Sequence, residues 1–164
     1  MVRKIISGGQ PGCERAALDA AMKNGFKTGG WCVRGKRCVD GAIPPRYELK
    51  ETASTEPAQK TELNIRDANG TLVFYEGKQN GFTHIINEYS VKHKKPYLLV
   101  NLQNDAVEEK EIIKVWTDAN KIITLNVTGS EENYNEENYK RTLTILNKLL
   151  VDYKINDAEE EYND

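Results

Sequence analysis

The sequence predicts an α/β fold, in which a mostly parallel sheet is flanked by helices in three layers. Short, nearly continuous apolar runs recur along the chain, which is typical of parallel strands that are covered on both faces. Each run is followed by a helical pattern, which predicts right-handed βαβ connections. The predicted strands cover residues 3–7, 71–75, 97–101 and 121–127, and the predicted helices cover residues 14–24, 56–67, 83–94, 105–119 and 134–153.

The first strand and the first helix are joined by a glycine-rich turn, Ser7-Gly8-Gly9-Gln10-Pro11-Gly12. A strand, a glycine turn and a helix start in this order place backbone N–H groups at the positive end of a helix dipole, which suits a phosphate or another anion. We predict that Gly9→Val weakens ligand binding far more than stability. The turn matches neither G-x-G-x-x-G nor a P-loop, so a tight turn without a ligand is the alternative. The residues predicted to bind the anion here are Gly8, Gly9, Gln10, Gly12 and Arg15.

Residues 25–55 form a long, irregular segment with few strand signals. Loops of this length inside compact domains are usually functional or disordered, and the aromatic and cysteine content argues against disorder. We predict that Trp31, Arg34, Lys36 and Arg37 form a mobile lid, because three cations beside an indole can clamp an anionic, planar ligand. A solvated basic loop is the alternative interpretation.

The later strands end in further loops beside the predicted site. In a doubly wound sheet, ligands bind beyond the carboxyl ends of the strands, where the strand order reverses. The loop after residue 75 again places glycines before a helix, and Gly77, Gly81, Phe82 and Thr83 are predicted to bind the ligand. An ordinary capped loop is the alternative. The other segments that leave strand ends are residues 101–105 and 126–132.

The last helix is indicated by apolar residues spaced by four and three positions, which are expected to lie in the core: Tyr139, Leu143, Leu146, Leu150 and Tyr153. The residues that follow are acidic and show no pattern. We therefore predict one domain over residues 1–154 and an acidic, disordered tail over residues 155–164.

Composition excludes several functional classes. The formal net charge is −2, whereas nucleic-acid-binding proteins usually carry a positive excess. No apolar run approaches the roughly 20 residues of a membrane span, and the first residues do not form the apolar region of a signal peptide. The three cysteines lack C-x-x-C spacing, so we expect reduced thiols in a cytoplasmic protein, without a metal site. Neither histidine has a serine or cysteine nearby in sequence, and we predict no catalytic residue.

Two blocks, Gly29-Gly30-Trp31-Cys32 and Asn64-Ile65-Arg66-Asp67-x-x-Gly70-Thr71, together with the first glycine turn, resemble the "putative molybdenum carrier" family of the Rossmann-like SLOG superfamily. The resemblance implies a Rossmann-like domain that self-associates as a dimer or tetramer. It also implies a pocket for a phosphorylated ligand, either the molybdenum cofactor (a pterin phosphate) or a nucleotide-derived molecule. The similar segments are residues 5–21, 29–47, 51–52, 64–72 and 125–129.

Three departures from the family pattern fall where a phosphate would be held. Pro11 stands where the family usually has threonine, which removes a hydroxyl and an N–H donor. Phe82 stands where the second loop usually has glycine. After Val127, the segment Thr128-Gly129-Ser130-Glu131 replaces Ala-Gly-Pro-Arg, so an anion stands where the family has a cation.

The function favoured by the sequence is a non-enzymatic carrier or sequestering protein for a phosphate-bearing small molecule. One alternative is a nucleotide phosphoribohydrolase. Related cytokinin-activating enzymes carry a glutamate that is separated by two residues from the end of a Pro-Gly-Gly-x-Gly-Thr motif. Here Glu88 is displaced from that position by two residues, about 200° around a helix. The other alternative is a partner-binding subunit whose pocket has decayed.

Overall fold

The computed structural model describes residues 1–79, 81–129 and 135–163. Each strand and helix predicted from the sequence has a counterpart. In chain order the elements are β1 (Lys4–Ile6), α1 (Cys13–Lys23), β2 (Lys27–Gly29), β3 (Trp31–Cys32), β4 (Arg37–Cys38), β5 (Gly41–Ala42), β6 (Lys50–Glu51), α2 (Pro57–Asp67), β7 (Gly70–Tyr75), α3 (Gly81–His93), β8 (Tyr97–Asn101), α4 (Ala106–Ala119), β9 (Thr124–Gly129) and α5 (Glu136–Asn163).

The central sheet has five parallel strands in the order β2-β1-β9-β7-β8. Side chains of β7 show how both faces are buried. Leu72 and Phe74 pack with the apolar residues of α1, α4 and α5, whereas Val73 packs with those of α2 and α3. The predicted class, a Rossmann-like α/β fold with a parallel sheet between two helical layers, is confirmed.

The strand order reverses between β1 and β7. From β1 the chain passes through α1 to β2, and from β7 it passes through α3 to β8 in the opposite direction, while β9 lies between β1 and β7. Because α1 and α3 cover opposite faces of the sheet, the carboxyl ends of these three strands border a crevice. This is the place where doubly wound sheets bind ligands.

Residues 25–55 contain five short strands where the sequence shows few strand signals. β2 extends the central sheet beside β1, β3 pairs with β6 in parallel, and β4 and β5 form an antiparallel hairpin. These strands are two or three residues long, so no apolar pattern could reveal them. Tertiary packing fixes the segment instead, because Ile43, Tyr47 and Leu49 are buried against Leu18 and Cys32.

The last helix is longer than the sequence predicts. α5 continues without a break across residue 154 to Asn163, where a disordered tail is predicted, and Arg3 pairs with Asp157 in this continuation. Residues 158–163 are exposed, and the mobility of this end stays a prediction. Within the described ranges, no helix combines the length and the apolar character needed to cross a bilayer.

Candidate ligand-binding site

The predicted glycine turn lies at the carboxyl end of β1, on the border of the crevice. Gly9 and Gly12 have φ of +79° and +92°, a conformation that favours glycine. Ser7 anchors the turn, since its hydroxyl donates to the Val127 carbonyl at 2.6 Å. Gly12 precedes the first residue of α1, and in the described part of the protein no side chain caps the N-terminus of this helix. The turn therefore lies where the sequence places it, and binding of a ligand anion by the turn stays a prediction.

The interior of the turn holds a carboxylate of the chain itself. Glu14 Oε1 accepts from the Gln10 N–H at 3.1 Å and lies 3.0 Å from Lys60 Nζ, and Glu14 Oε2 accepts from the Thr128 hydroxyl at 3.1 Å. The Lys60 and Glu14 side chains are only 5% and 6% exposed. A Cβ at Gly8 would lie 2.6 Å from Glu14 Oε1, so glycine makes room for this carboxylate. The turn thus binds an anion, and that anion is Glu14.

Arg15 connects the glycine turn to the β4–β5 hairpin. Its Nε donates to the Gly9 carbonyl at 3.1 Å, and its Nη1 and Nη2 donate to the two carboxylate oxygens of Asp40 at 2.8 and 3.0 Å. These hydrogen bonds, with one from the Cys38 thiol, hold the pKa of Asp40 below its usual value. Arg15 is therefore oriented towards the turn, with a carboxylate bound to its guanidinium.

A cavity of about 260 Å³ opens beside the start of α1. Asp19 lies in its wall and accepts from the Tyr47 and Tyr139 hydroxyls at 2.7 and 2.6 Å. The Arg46 guanidinium lies 4.5 Å from the centre of the Tyr47 ring. The cavity is lined by Pro11, Gly12, Arg15, Asp19, Arg46, Tyr47, Glu136 and Tyr139.

The tyrosines of this cavity give a pH-dependent prediction. Burial and the Asp19 carboxylate raise the pKa of Tyr47 to about 12, and the same two causes raise the pKa of Tyr139. Because the folded state holds these protons more tightly than the unfolded chain does, the stability they contribute is complete below about pH 10 and is lost as the pH rises through the folded pKa. We expect an alkaline ultraviolet titration to show both tyrosines un-ionised near pH 11. Asp19→Asn is expected to lower the pKa of Tyr47, and an unchanged titration in this variant would contradict the assignment.

The structure places Trp31 against α2. Its backbone N–H donates to Asn64 Oδ1 at 2.8 Å, and its indole Nε1 donates to Asp67 Oδ2 at 2.7 Å. The Lys50 ammonium lies 5.3 Å from the centre of the indole ring. Trp31 also lines a groove of about 220 Å³ with residues of β1 and β2.

The predicted cations follow Trp31 in the turn that leads into the hairpin. Arg34 and Arg37 are exposed, and Lys36 is partly buried with φ of +51°. The Arg37 carbonyl accepts from Gln10 Nε2 at 2.9 Å, so the structure brings this segment next to the glycine turn. The indole of Trp31 is bound to Asp67 instead. A common lid of Trp31, Arg34, Lys36 and Arg37 stays a prediction.

The second glycine loop is described in part. Gly77 is exposed with φ of +74°, and Gly81, Phe82 and Thr83 form the first turn of α3. Residue 80 and residues 130–134 lie outside the described residues, so the departure at Ser130-Glu131 does too. Ligand binding by this loop stays a prediction.

The structure changes one expectation for the glycine turn. A Cβ on Gly9 would lie 2.5 Å from Leu49 Cδ1, and its positive φ disfavours a branched residue. Gly9→Val therefore strains the turn and the packing of residues 43–49, contrary to the prediction that it chiefly affects binding. Arg15 and Gln10 are better sites for variants.

A metal site needs several histidine, cysteine or acidic side chains close together. Across residues 1–79, 81–129 and 135–163, no three histidine, cysteine or acidic side chains are grouped so as to hold a metal ion. Cys13, Cys32 and Cys38 are free thiols. Burial raises the pKa of the Cys13 thiol to about 11, which keeps it protonated near neutral pH.

Two residues of the site, Glu14 and Lys60, were not predicted, and Thr128 was named only as a departure from the family pattern. A glutamate in the first turn of a helix is common, because it favours the helix dipole, and nothing in its neighbourhood marks it as buried. Its partners are 46 and 114 residues away in sequence. Gly8 makes room for the carboxylate, but a glycine at this position is equally consistent with a tight turn.

Comparisons with known proteins agree with the fold. Residues 5–150 match the model of the circularly permutated YpsA SLOG family. Among solved structures, the chain is similar to a crystal structure from Syntrophus aciditrophicus described as a "putative molybdenum carrier protein", with 33% identity, a TM-score of 0.84, and coverage of 91% of this chain and 94% of that chain. No significant match was found among curated proteins. The resemblance predicted from the motifs is confirmed, and this chain belongs to the circularly permutated YpsA SLOG family.

Proposed function

We propose that this protein binds and carries a phosphate-bearing small molecule without transforming it. The ligand is a pterin phosphate of the molybdenum-cofactor type or a nucleotide-derived molecule, as the resemblance implies. The observation that carries the proposal is the glycine turn at the reversal of strand order, where the Gln10 N–H already binds a carboxylate.

The surroundings of the turn support an anionic ligand. The N-terminus of α1 has no side-chain cap among the described residues. Arg15 and Arg46 line the adjacent cavity together with Asp19 and Glu136, so an anionic group would bind on the side of the two guanidinium groups. At about 260 Å³ the cavity is slightly smaller than typical ligand pockets, which begin near 300 Å³. It has room for a phosphate and a group of sugar size, so the ring of a larger ligand extends towards the hairpin.

The carboxylates near the site favour binding over hydrolysis. Glu14 accepts hydrogen bonds from Gln10, Lys60 and Thr128, which leaves it poorly placed to exchange a proton with a substrate. Glu88 is exposed on α3. We therefore expect turnover of AMP to the free base to be absent or very slow, and robust turnover that Glu88→Ala abolishes would contradict this.

Native mass spectrometry of freshly purified protein tests the proposal by detecting a co-purified phosphorylated molecule. Calorimetric titration with AMP, GMP and a pterin phosphate then measures affinity. Arg34→Ala and Arg37→Ala are each expected to weaken binding roughly tenfold to a hundredfold if the lid contacts the phosphate. Arg66→Ala, which breaks an exposed pair with Asp67, is the control. Affinities within twofold of wild type in both arginine variants would contradict the predicted lid. A lack of binding to all three probes would reject the proposed function.

Assembly and location complete the proposal. We propose a dimer or tetramer, since α3 and α5 carry exposed apolar residues such as Val91, at 70% exposure, and Val151, at 45%. Sedimentation that shows only monomer at micromolar concentration would contradict this assembly.

The location follows from the cysteines. The free thiols suit a reducing compartment, so we propose the cytoplasm.

A further inference from the structure

The β4–β5 hairpin lies against the glycine turn and is held there mainly by polar contacts. Gln10 Nε2 donates to the Arg37 carbonyl, and the Arg15 guanidinium binds both carboxylate oxygens of Asp40. Residues 39–42 are exposed, and Val39 is 63% exposed, so docking of the hairpin buries little apolar area. Segments with few buried apolar contacts open locally at low free-energy cost.

Gln10, beneath the hairpin, carries an acceptor that the described residues leave unpaired. The residue is 6% exposed, its Oε1 is buried, and no hydrogen bond reaches this atom from the parts of the chain that the structure describes. The orientation of the amide follows from Nε2, which faces the Arg37 carbonyl, since the reverse orientation would bring two oxygens together. An unpaired buried acceptor is unfavourable, so a ligand that supplies a donor gains affinity here.

Arg15 is the second group whose partner belongs to the hairpin. Its bond to the Gly9 carbonyl does not involve the hairpin, so the side chain stays aimed at the turn when the hairpin moves. Its other two nitrogens form parallel hydrogen bonds to Asp40, an arrangement that a guanidinium also forms with phosphate. Displacement of Asp40 would expose an anion-binding group beside the glycine turn.

The two ends of the hairpin suit such a displacement. Gly35 and Lys36 precede it with φ of +83° and +51°. Ile43 follows it, is buried, and donates its N–H to the Lys36 carbonyl at 2.8 Å. The base of the hairpin is therefore anchored in the core. Residues 37–42 are held by Gln10 and Arg15, and by Cys38, whose sulfur accepts from Arg15 Nη2 at 3.1 Å and which packs at the edge of the buried cluster that contains Leu18.

We propose that the β4–β5 hairpin is a displaceable cover, and that the ligand takes its place on the side chains of Gln10 and Arg15. The anionic group of the ligand takes the place of Asp40 on Arg15, and an amino group of its ring donates to Gln10 Oε1. The neighbouring ring nitrogen accepts from Gln10 Nε2 in place of the Arg37 carbonyl. The inference rests on the proposed function and narrows its ligand to phosphate-bearing heterocycles with an amino group beside a ring nitrogen. The edge of such a ring presents a donor and an acceptor side by side, and it matches a glutamine amide, which presents an acceptor and a donor.

Hydrogen exchange measured by mass spectrometry tests the cover in the ligand-free protein. Asp40→Asn is expected to raise exchange of the amides of residues 36–43 about tenfold or more, because it removes a charge-assisted, two-point contact. Glu51→Gln is the matched control, since Glu51 Oε1 accepts from the Gly35 N–H at 2.8 Å in the neighbouring turn. Equal exchange of residues 36–43 in the two variants would overturn the proposal.

Nucleotide pairs that differ by one amino group test the role of Gln10. AMP is compared with purine riboside monophosphate, and GMP with IMP. Wild type is expected to bind the amino member of a pair about tenfold more tightly, and Gln10→Met to bind both members equally. The bound amino nucleotide is expected to raise exchange in residues 36–43.

Two results would overturn the assignment: a preference that persists in Gln10→Met, or protection of residues 36–43 by the nucleotide. Such protection is the result expected when Lys36 and Arg37 close over the ligand as the predicted lid, so the measurement separates the lid from the cover. Failure of all four nucleotides to bind would reject both a nucleotide ligand and the role of Gln10. The Asp40→Asn exchange result would still decide whether the hairpin is a cover. Binding with unchanged hairpin exchange would reject the cover alone.

Discussion

Lys60→Met is expected to lower the free energy of unfolding by about 3–5 kcal/mol, because it leaves a buried carboxylate without its counter-charge. Lys60 Nζ lies 3.0 Å from Glu14 Oε1, and both side chains are nearly inaccessible to solvent. Methionine keeps most of the apolar stem, so the loss reports the charge rather than the packing. Guanidinium chloride denaturation followed by circular dichroism measures the change.

Two further variants distinguish the stability lost by breaking the buried ion pair from the stability lost by removing any lysine. Lys92→Met removes an ammonium that pairs with Glu62 at the surface, and little or no loss is expected. The double variant Glu14→Gln with Lys60→Met removes both charges while glutamine keeps an acceptor, so it is expected to be more stable than Lys60→Met alone. A loss in Lys60→Met no larger than in Lys92→Met would contradict the role of the pair.

Gly30→Ala is expected to cost about 3 kcal/mol or more, because the new Cβ would clash with the backbone that enters the glycine turn. The φ of Gly30 is +126°, and a Cβ there would lie 2.1 Å from the Ser7 carbonyl oxygen and 2.8 Å from the Ser7 nitrogen. Relief of this clash separates the two segments and breaks the bond from the Ser7 N–H to the Gly29 carbonyl. We expect a lower midpoint of thermal unfolding and weaker anion binding together.

Gly25→Ala is the control for this substitution. Gly25 also has a positive φ, +77°, but a Cβ there would meet no atom within 4 Å. Its cost is therefore limited to backbone strain, about 1–2 kcal/mol. Equal losses in the two variants would show that the close approach of Gly30 to Ser7 contributes nothing.

The fold was predictable where strands are long and apolar. Leu72-Val73-Phe74 is buried on both faces of the sheet, so a continuous apolar run marked the strand. β2 could not be found in this way, since Lys27-Thr28-Gly29 contains no apolar residue and is a strand because it pairs with β1. Its existence depends on its neighbour in the sheet and not on its own composition.

The site was predictable only as far as its motif is local. The glycine turn lies where its sequence places it, since strand, turn and helix are consecutive. Asp19, Tyr47 and Tyr139 meet only in the folded chain, so no spacing could have indicated the cavity. Trp31 shows a second limit of local sequence: Arg34, Lys36 and Arg37 follow it closely along the chain, but its indole hydrogen-bonds to Asp67 on α2. Adjacency along the chain does not fix the direction of a side chain.

The position of β9 has a consequence for synthesis of the protein. Among the described residues β9 is the last strand, yet it lies at the centre of the sheet between β1 and β7. Before residues 124–129 leave the ribosome, β1 with β2 and β7 with β8 are two half-sheets, and the edges that will receive β9 are open. Open edges of apolar strands promote aggregation. A nascent chain stalled before β9 would therefore be a pair of aggregation-prone half-sheets, and not a smaller folded domain.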